Sequence, residues 1–232
     1  MSTPGIRRTT WRTAGGLAAA GVLAAWAVLG LAGGAAAATP PGDEYGYAVT
    51  GATYTSTTAD WTMPAVSCTT SGTYVAIWTG LDGYSSGTVE QIGAEAYCSG
   101  ATPEYFGWYD LYPAAPVDFG QTLKPGDSLQ ASVTFKSSKF TLTLHDVTQG
   151  WTQTVTKTLS GAARSSAETV VQVPGTFTCP APLTLAAFTG DTVDGSPLGR
   201  LNPVKVTGGD PHIVVSGVSG GSFTVSCHPT AG

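Results

Sequence analysis

Apolar and polar residues alternate one for one along much of the chain beyond residue 44. The alternation is plainest in Leu129-Ala131-Val133-Phe135 and again in Phe140-Leu142-Leu144, with polar residues between. A period of two over such lengths predicts strands with one buried and one solvated face. Thr, Val and Tyr fill these runs. Gly and Pro punctuate them at Gly83, Pro113, Pro125-Gly126, Gly150, Pro174-Gly175 and Gly208-Gly209. No stretch beyond residue 44 carries a sustained helical stripe. The expected fold is therefore all-β, a two-sheet antiparallel β-sandwich or jelly roll.

The first 38 residues follow a different pattern. Arg7, Arg8 and Arg12 precede an apolar run from Gly15 to Ala38 that ends in small residues. A basic start, an apolar middle and small side chains at Ala36 and Ala38 predict a secretory signal peptide over 1–38, cleaved near Ala38-Thr39. The run is also long enough for the competing reading, an uncleaved membrane anchor. Arg7-Arg8 fits a twin-arginine signal only weakly. Residues 39–44 read as a flexible lead-in and 45–232 as a single domain. On this reading the protein is secreted and extracellular, with no stable membrane association after cleavage and a monomer as the default.

Charge is sparse: ten Lys and Arg, fifteen Asp and Glu, and a net charge of −5. Loss of 1–38 removes three arginines and no acids, which takes the net charge from −5 to −8. Too few cations remain to build a face for phosphate backbones, so no nucleic-acid partner is expected. Acid unfolds proteins largely by protonating carboxylates that cations had stabilised. With few such pairs available, the fold is expected to tolerate acid.

Four cysteines, Cys68, Cys98, Cys179 and Cys227, allow three disulfide connectivities. Cys68–Cys98 with Cys179–Cys227 is preferred, because each pair would tie down one local excursion of the sandwich. No Cys/His cluster suggests zinc, and His145, His212 and His228 are scattered, so no metal or cofactor is expected. GxSxG and HExxH are both absent.

Two predicted strands carry candidate chemistry. In Thr88–Tyr97, alternation places Val89, Gln91, Gly93 and Glu95 on one face. In Ala167–Pro174, Glu168, Val170 and Gln172 share a face opposite Thr169, Val171 and Val173. Alternation alone also allows Gln91 and Glu168 to be ordinary solvent-facing residues.

The surrounding motifs resemble the glutamic peptidases (eqolisins, peptidase family G1), particularly their bacterial branch. In order they are Trp61-Thr62-Met63-Pro64, Trp78-Thr79-Gly80-Leu81-Asp82-Gly83, Val89-Glu90-Gln91-Ile92-Gly93, Trp108-Tyr109-Asp110-Leu111-Tyr112-Pro113 and Ala163-Arg164-Ser165-Ser166-Ala167-Glu168. Pro182-Leu183 with Phe188, and Ser222-Phe223-Thr224-Val225, are similar to the closing strands.

The resemblance implies a pepstatin-insensitive acid endopeptidase acting on polypeptides. It makes Glu168 the general base and acid, and Gln91 the holder of the attacking water and stabiliser of the oxyanion. It also implies that Trp78, Asp82, Glu95, Tyr109 and Asp110 line or support the substrate cleft. Thr169, Gln172 and Asp110 depart from the family's usual Trp, Glu and Glu, and Cys179 with Cys227 is an unusual staple for it. The reading requires Gln91 and Glu168 to meet on one open face.

The alternative is a non-catalytic carbohydrate- or peptide-binding sandwich, since concanavalin A-like lectins and glucanases share the architecture. Trp108, Tyr109, Tyr112 and Trp151 would then stack on sugar rings. No Glu-x-Asp-x-Glu strand supports glycan hydrolysis.

Overall fold

The computed structural model describes residues 43–84 and 86–229. The expected signal segment, and residues 39–42 of the expected lead-in, lie outside the described residues. The remaining pair of the lead-in behaves otherwise: Asp43 is a turn and Glu44 already opens the first strand.

Fifteen strands follow one another, with a single 3₁₀ turn among the described residues at Leu198–Arg200. In chain order they are β1 (Glu44–Thr50), β2 (Ser56–Thr62), β3 (Tyr74–Asp82), β4 (Val89–Ser99), β5 (Thr102–Tyr112), β6 (Val117–Thr122), β7 (Ser128–Lys136) and β8 (Lys139–Asp146). Then come β9 (Trp151–Lys157), β10 (Ser166–Gln172), β11 (Leu183–Val193), β12 (Ser196–Pro197), β13 (Val204–Thr207), β14 (Ile213–Val215) and β15 (Phe223–Cys227).

They form two antiparallel sheets. The first runs β13-β1-β10-β3-β4-β5-β6, and the second runs β14-β15-β11-β2-β7-β8-β9, with β12 paired to β11. The main core lies between them: Tyr45, Ile77, Leu81, Ile92 and Val171 from the first sheet meet Trp61, Leu129, Leu142, Phe188 and Val225 from the second. Both alternating runs singled out in the sequence are strands, β7 and β8. Their apolar members Leu129, Ala131, Val133, Phe140, Leu142 and Leu144 are all buried.

The outer face of the second sheet is lined by hydroxyls. Thr192, Thr58, Ser132, Thr143 and Thr154 stand opposite one another across five strands, and Ser56, Thr134, Thr141 and Thr156 make a parallel row across four. Thr58 and Thr192 hydroxyls lie 2.7 Å apart, and Thr143 and Thr154 3.2 Å apart.

Disulfides join Cys68 to Cys98 and Cys179 to Cys227. The first fastens the segment after β2 to the end of β4. The second fastens the loop after β10 to β15, which lies between β14 and β11 in the second sheet. Among the described residues, no helix is long and apolar enough to cross a membrane.

Candidate functional site

Four strands of the first sheet carry one straight row of residues. Glu168 of β10 stands opposite Gly80 of β3, Gly80 opposite Gln91 of β4, and Gln91 opposite Asp110 of β5. Residues directly paired across strands point to the same face, so the two carboxyls and the amide share one side. That side faces away from the second sheet, because the alternate residues Leu81, Ile92, Leu111 and Ala167 belong to the inter-sheet core. Two strand spacings, roughly 10 Å, separate the backbones of Glu168 and Gln91. Gly80 between them contributes no side chain. A Cβ at Gly80 would lie 2.9 Å from the Glu90 carbonyl oxygen and 3.0 Å from Gln91 Cβ.

The next row on this face is apolar. Val170, Trp78, Gly93 and Trp108 stand opposite one another. With Ala48, Ala76 and Val206 they form a second hydrophobic cluster on the outer side of the sheet. Trp78 and Trp108 thus flank the bare Gly93 and are buried. Their indole N–H groups have no partner in the protein. A further row brings Glu44, Gln172, Ala76, Glu95 and Phe106 to the same face.

Glu168 is 2% exposed. Ser166 Oγ donates to its Oε1 at 2.9 Å, and the Tyr84 N–H donates to Ser166 Oγ at 3.3 Å. The turn at Gly83 lies over the carboxyl: a Cβ there would be 3.2 Å from both its oxygens. Burial pushes Glu168 up to about 8, and the Asp82 charge adds to the rise. The hydrogen bonds from Ser166 and Tyr84 oppose it. These dry surroundings favour the protonated carboxyl.

Gln91 is half-buried, with Nε2 donating to Asp110 Oδ2 at 3.2 Å. Its Oε1 and Asp110 Oδ1 are buried without protein partners. Burial raises Asp110 to about 6, against the lowering effect of the Gln91 bond. Gln91 and Glu168 therefore share one face, but the open face that the sequence reading required is found only at Gln91, since Glu168 is almost covered.

Asp82 ends β3 in the left-handed region, φ 61°. Fully buried, it accepts hydrogen bonds from Arg164 N (2.6 Å), Ser165 N (2.8 Å), Ser165 Oγ (3.1 Å) and Thr88 Oγ1 (3.3 Å). It fastens the segment leading into β10, and so fixes where Glu168 begins its strand. Glu95 lies two residues from Gln91 on the same face, where burial lifts it to about 8 and Asp118 reinforces the lift.

Tyr109, expected in the cleft, is corrected by strand alternation. It pairs with Ile92, packs against the inter-sheet core and lies 5.6 Å from the Phe119 ring. Thr169 likewise faces inward, where its hydroxyl meets that of Thr79 at 3.1 Å. Three members of the site were not singled out for a role in the sequence: Ser166, Gly80 and Trp108 as part of the apolar floor. The i, i+2 spacing of Ser166 from Glu168 was the available signal. Among the described residues no group of three His, Cys, Asp or Glu is placed to hold a metal.

The model of the Peptidase A4 family matches residues 43–195, and the chain belongs to that family. Over 131 residues it is 33% identical to aspergillopepsin-2 of Aspergillus niger, covering 47% of this chain and 45% of that protein. The chain thus spans less than half the length of this relative. The crystal structure of scytalido-glutamic peptidase with a transition state analog inhibitor is similar in fold, with TM-score 0.67 and 24% identity over 82% of this chain and 98% of that one. Aspergilloglutamic peptidase from Aspergillus niger gives TM-score 0.53 and 25% identity over 66% and 98% of the two chains.

Proposed function

We propose that the protein is a secreted acid endopeptidase of the glutamic type, with Glu168 and Gln91 as its catalytic pair. The observation that supports this best is the in-register row Glu168–Gly80–Gln91, which sets a carboxyl and an amide on either side of a bare backbone position. A scissile peptide carbon and its attacking water fit over Gly80. Glu168 in its ionised form takes a proton from the water as the oxygen–carbon bond forms. The carbonyl π electrons move onto oxygen, where the Gln91 N–H stabilises the negative charge. Glu168 then passes that proton to the amide nitrogen as the carbon–nitrogen bond breaks, which releases an amine and a carboxylic acid.

The ionised form is the demanding part. An ordinary glutamate titrates near 4.3, whereas burial holds Glu168 near 8. Water and substrate dipoles over Gly80, with the Ser166 hydroxyl, must supply the solvation that the closed site lacks. Entry of substrate therefore includes wetting of the space beneath Gly83. Trp78 and Trp108 supply an apolar floor beside the row, while Glu95 and Asp110 border it as polar groups.

Two disulfides fit an oxidising compartment outside the cell, in line with export through the N-terminal segment. Glu95, an acid on the Gln91 face, accords with the bacterial branch of the family. Trp108 is buried and Tyr109 and Trp151 are half-buried, so Tyr112 alone is widely exposed among the aromatics that a sugar-binding reading would use.

The purified protein should degrade denatured casein or haemoglobin at about pH 3–4, in the presence of chelator and of pepstatin. Glu168→Gln and Gln91→Ala should each lower kcat by about 10²–10⁴. Undiminished cleavage by Glu168→Gln would remove the mechanism, even for an active peptidase.

A further inference from the structure

Among the described residues, Glu168 is approached by acids and by no cation. Asp82 stands at the end of β3, Glu44 lies on the same face of β1, Asp110 is at the far end of the row on β5, and Tyr84 lies on the turn above. Nothing charged among these favours ionisation of the carboxyl. One side chain does offer a hydrogen bond to it: the Ser166 hydroxyl, 2.9 Å from Oε1 and fully buried.

A serine hydroxyl has one proton and can point it in several directions. Here its choice is fixed from the other side. The Tyr84 N–H occupies a lone pair of Ser166 Oγ at 3.3 Å, so the hydroxyl proton is left to the carboxyl. Asp82 holds Arg164 and Ser165 by their backbone N–H groups, immediately before Ser166, and so fixes the serine's backbone. Ser166 also lies two residues from Glu168 on the same strand face, where it moves with the carboxyl rather than across a gap.

We propose that Ser166 is a positioning residue whose hydroxyl, aligned by the Tyr84 N–H, holds Glu168 Oε1 in place and favours the ionised form that water activation needs. This inference rests on Glu168 being the general base. The hydroxyl donates one strong bond to a charged oxygen and leaves Oε2 for the water. Deleting the hydroxyl removes the side-chain donor that opposes burial, so ionisation of Glu168 requires higher pH.

The test is the pH dependence of kcat/KM for the mature secreted protein and its Ser166→Ala variant. A hydrogen bond to an ionised group is worth one to two pH units. The acid limb of the variant should therefore move up by about that amount, with kcat falling about tenfold or more at the parent optimum and KM staying within about twofold. Ser166→Cys, nearly the same size with a weaker donor, should give an intermediate limb and keeps the comparison available if alanine impairs folding. Infrared titration of the Glu168 carboxyl, identified by its loss in Glu168→Gln, should show the same upward shift without any substrate. An unmoved limb and carboxyl band, with only a lower Tm, would make Ser166 structural and overturn the proposal. Continued cleavage by Glu168→Gln would overturn the catalytic pair instead, and the two failures are thus told apart.

Discussion

Stability should be greatest in acid and should fall as the solution approaches neutrality, because two buried carboxyls outside the site hold protons that the unfolded chain gives up. Asp191 sits in the irregular stretch of β11, 1% exposed, with neither carboxyl oxygen partnered. Burial pushes it up to about 9, and Asp60 reinforces the rise. Glu90 points from β4 into the core, 0% exposed, its oxygens also unpartnered. Burial and the neighbouring Asp82 hold it near 8.

An unfolded Asp titrates near 3.9 and an unfolded Glu near 4.3. Below those values both states are protonated and the stabilisation is fully present. Above them the native state alone keeps the proton, and stability falls by about 1.4 kcal/mol per pH unit per group until the native group also ionises. By pH 7.5 this reaches about 5 kcal/mol for Asp191 and about 4 for Glu90 as upper values. Together these fall within the roughly 5–15 kcal/mol that holds a typical domain folded. Even a loss of about 2 kcal/mol lowers Tm by about 4–8 °C in a protein of this size.

Thermal unfolding followed by circular dichroism from pH 3.5 to 7.5 reads this directly. Asp191→Asn keeps the shape and removes the proton linkage. It should match the parent near pH 4, exceed it near pH 7.5, and show a flatter slope. Parallel Tm curves for parent and variant, or a parent Tm that rises towards neutrality, would refute the reasoning.

Two further outcomes follow from the packing. Gly80→Ala should reduce kcat by at least about tenfold and lower Tm, since its methyl would crowd the Glu90 carbonyl and Gln91 Cβ beside the proposed catalytic pair; activity and melting assays on one preparation check both. Replacing both Cys179 and Cys227 by Ser should cost about 2–5 kcal/mol in denaturant unfolding while leaving the Gln91–Glu168 row in place. Near-parental KM in the surviving folded fraction would be the matching kinetic sign.

The two-sheet architecture was legible because strand alternation is a local property. Leu129 to Phe135 and Phe140 to Leu144 announce their buried faces without any knowledge of partners. Alternation also sorted Gln91 with Glu95, and Glu168 with Val170. It could not say that β3 would lie between β4 and β10, since strand order depends on contacts far apart in the chain. Gly80 was therefore visible only as one member of the Trp78–Gly83 motif, and its place between carboxyl and amide emerges from pairing. Tyr109 was misplaced for a related reason. Its motif stood beside Asp110, but neighbours in a strand face opposite ways, and the motif gave no reason to choose between them. The buried acids Glu90 and Asp191 were equally hidden, because sequence shows a charge-bearing side chain and not the dryness of its surroundings.

The two hydroxyl rows on the second sheet bear on how the molecule meets acidic water. Threonine and serine keep the same hydration whether the medium is at pH 3 or pH 7, so those two rows neither accumulate repulsion nor lose their solvent coat as protons are added. The colloidal behaviour of these rows should accordingly depend little on ionic strength, leaving acids elsewhere, Asp60 and Asp191 of this sheet among them, to carry the molecule's response to pH.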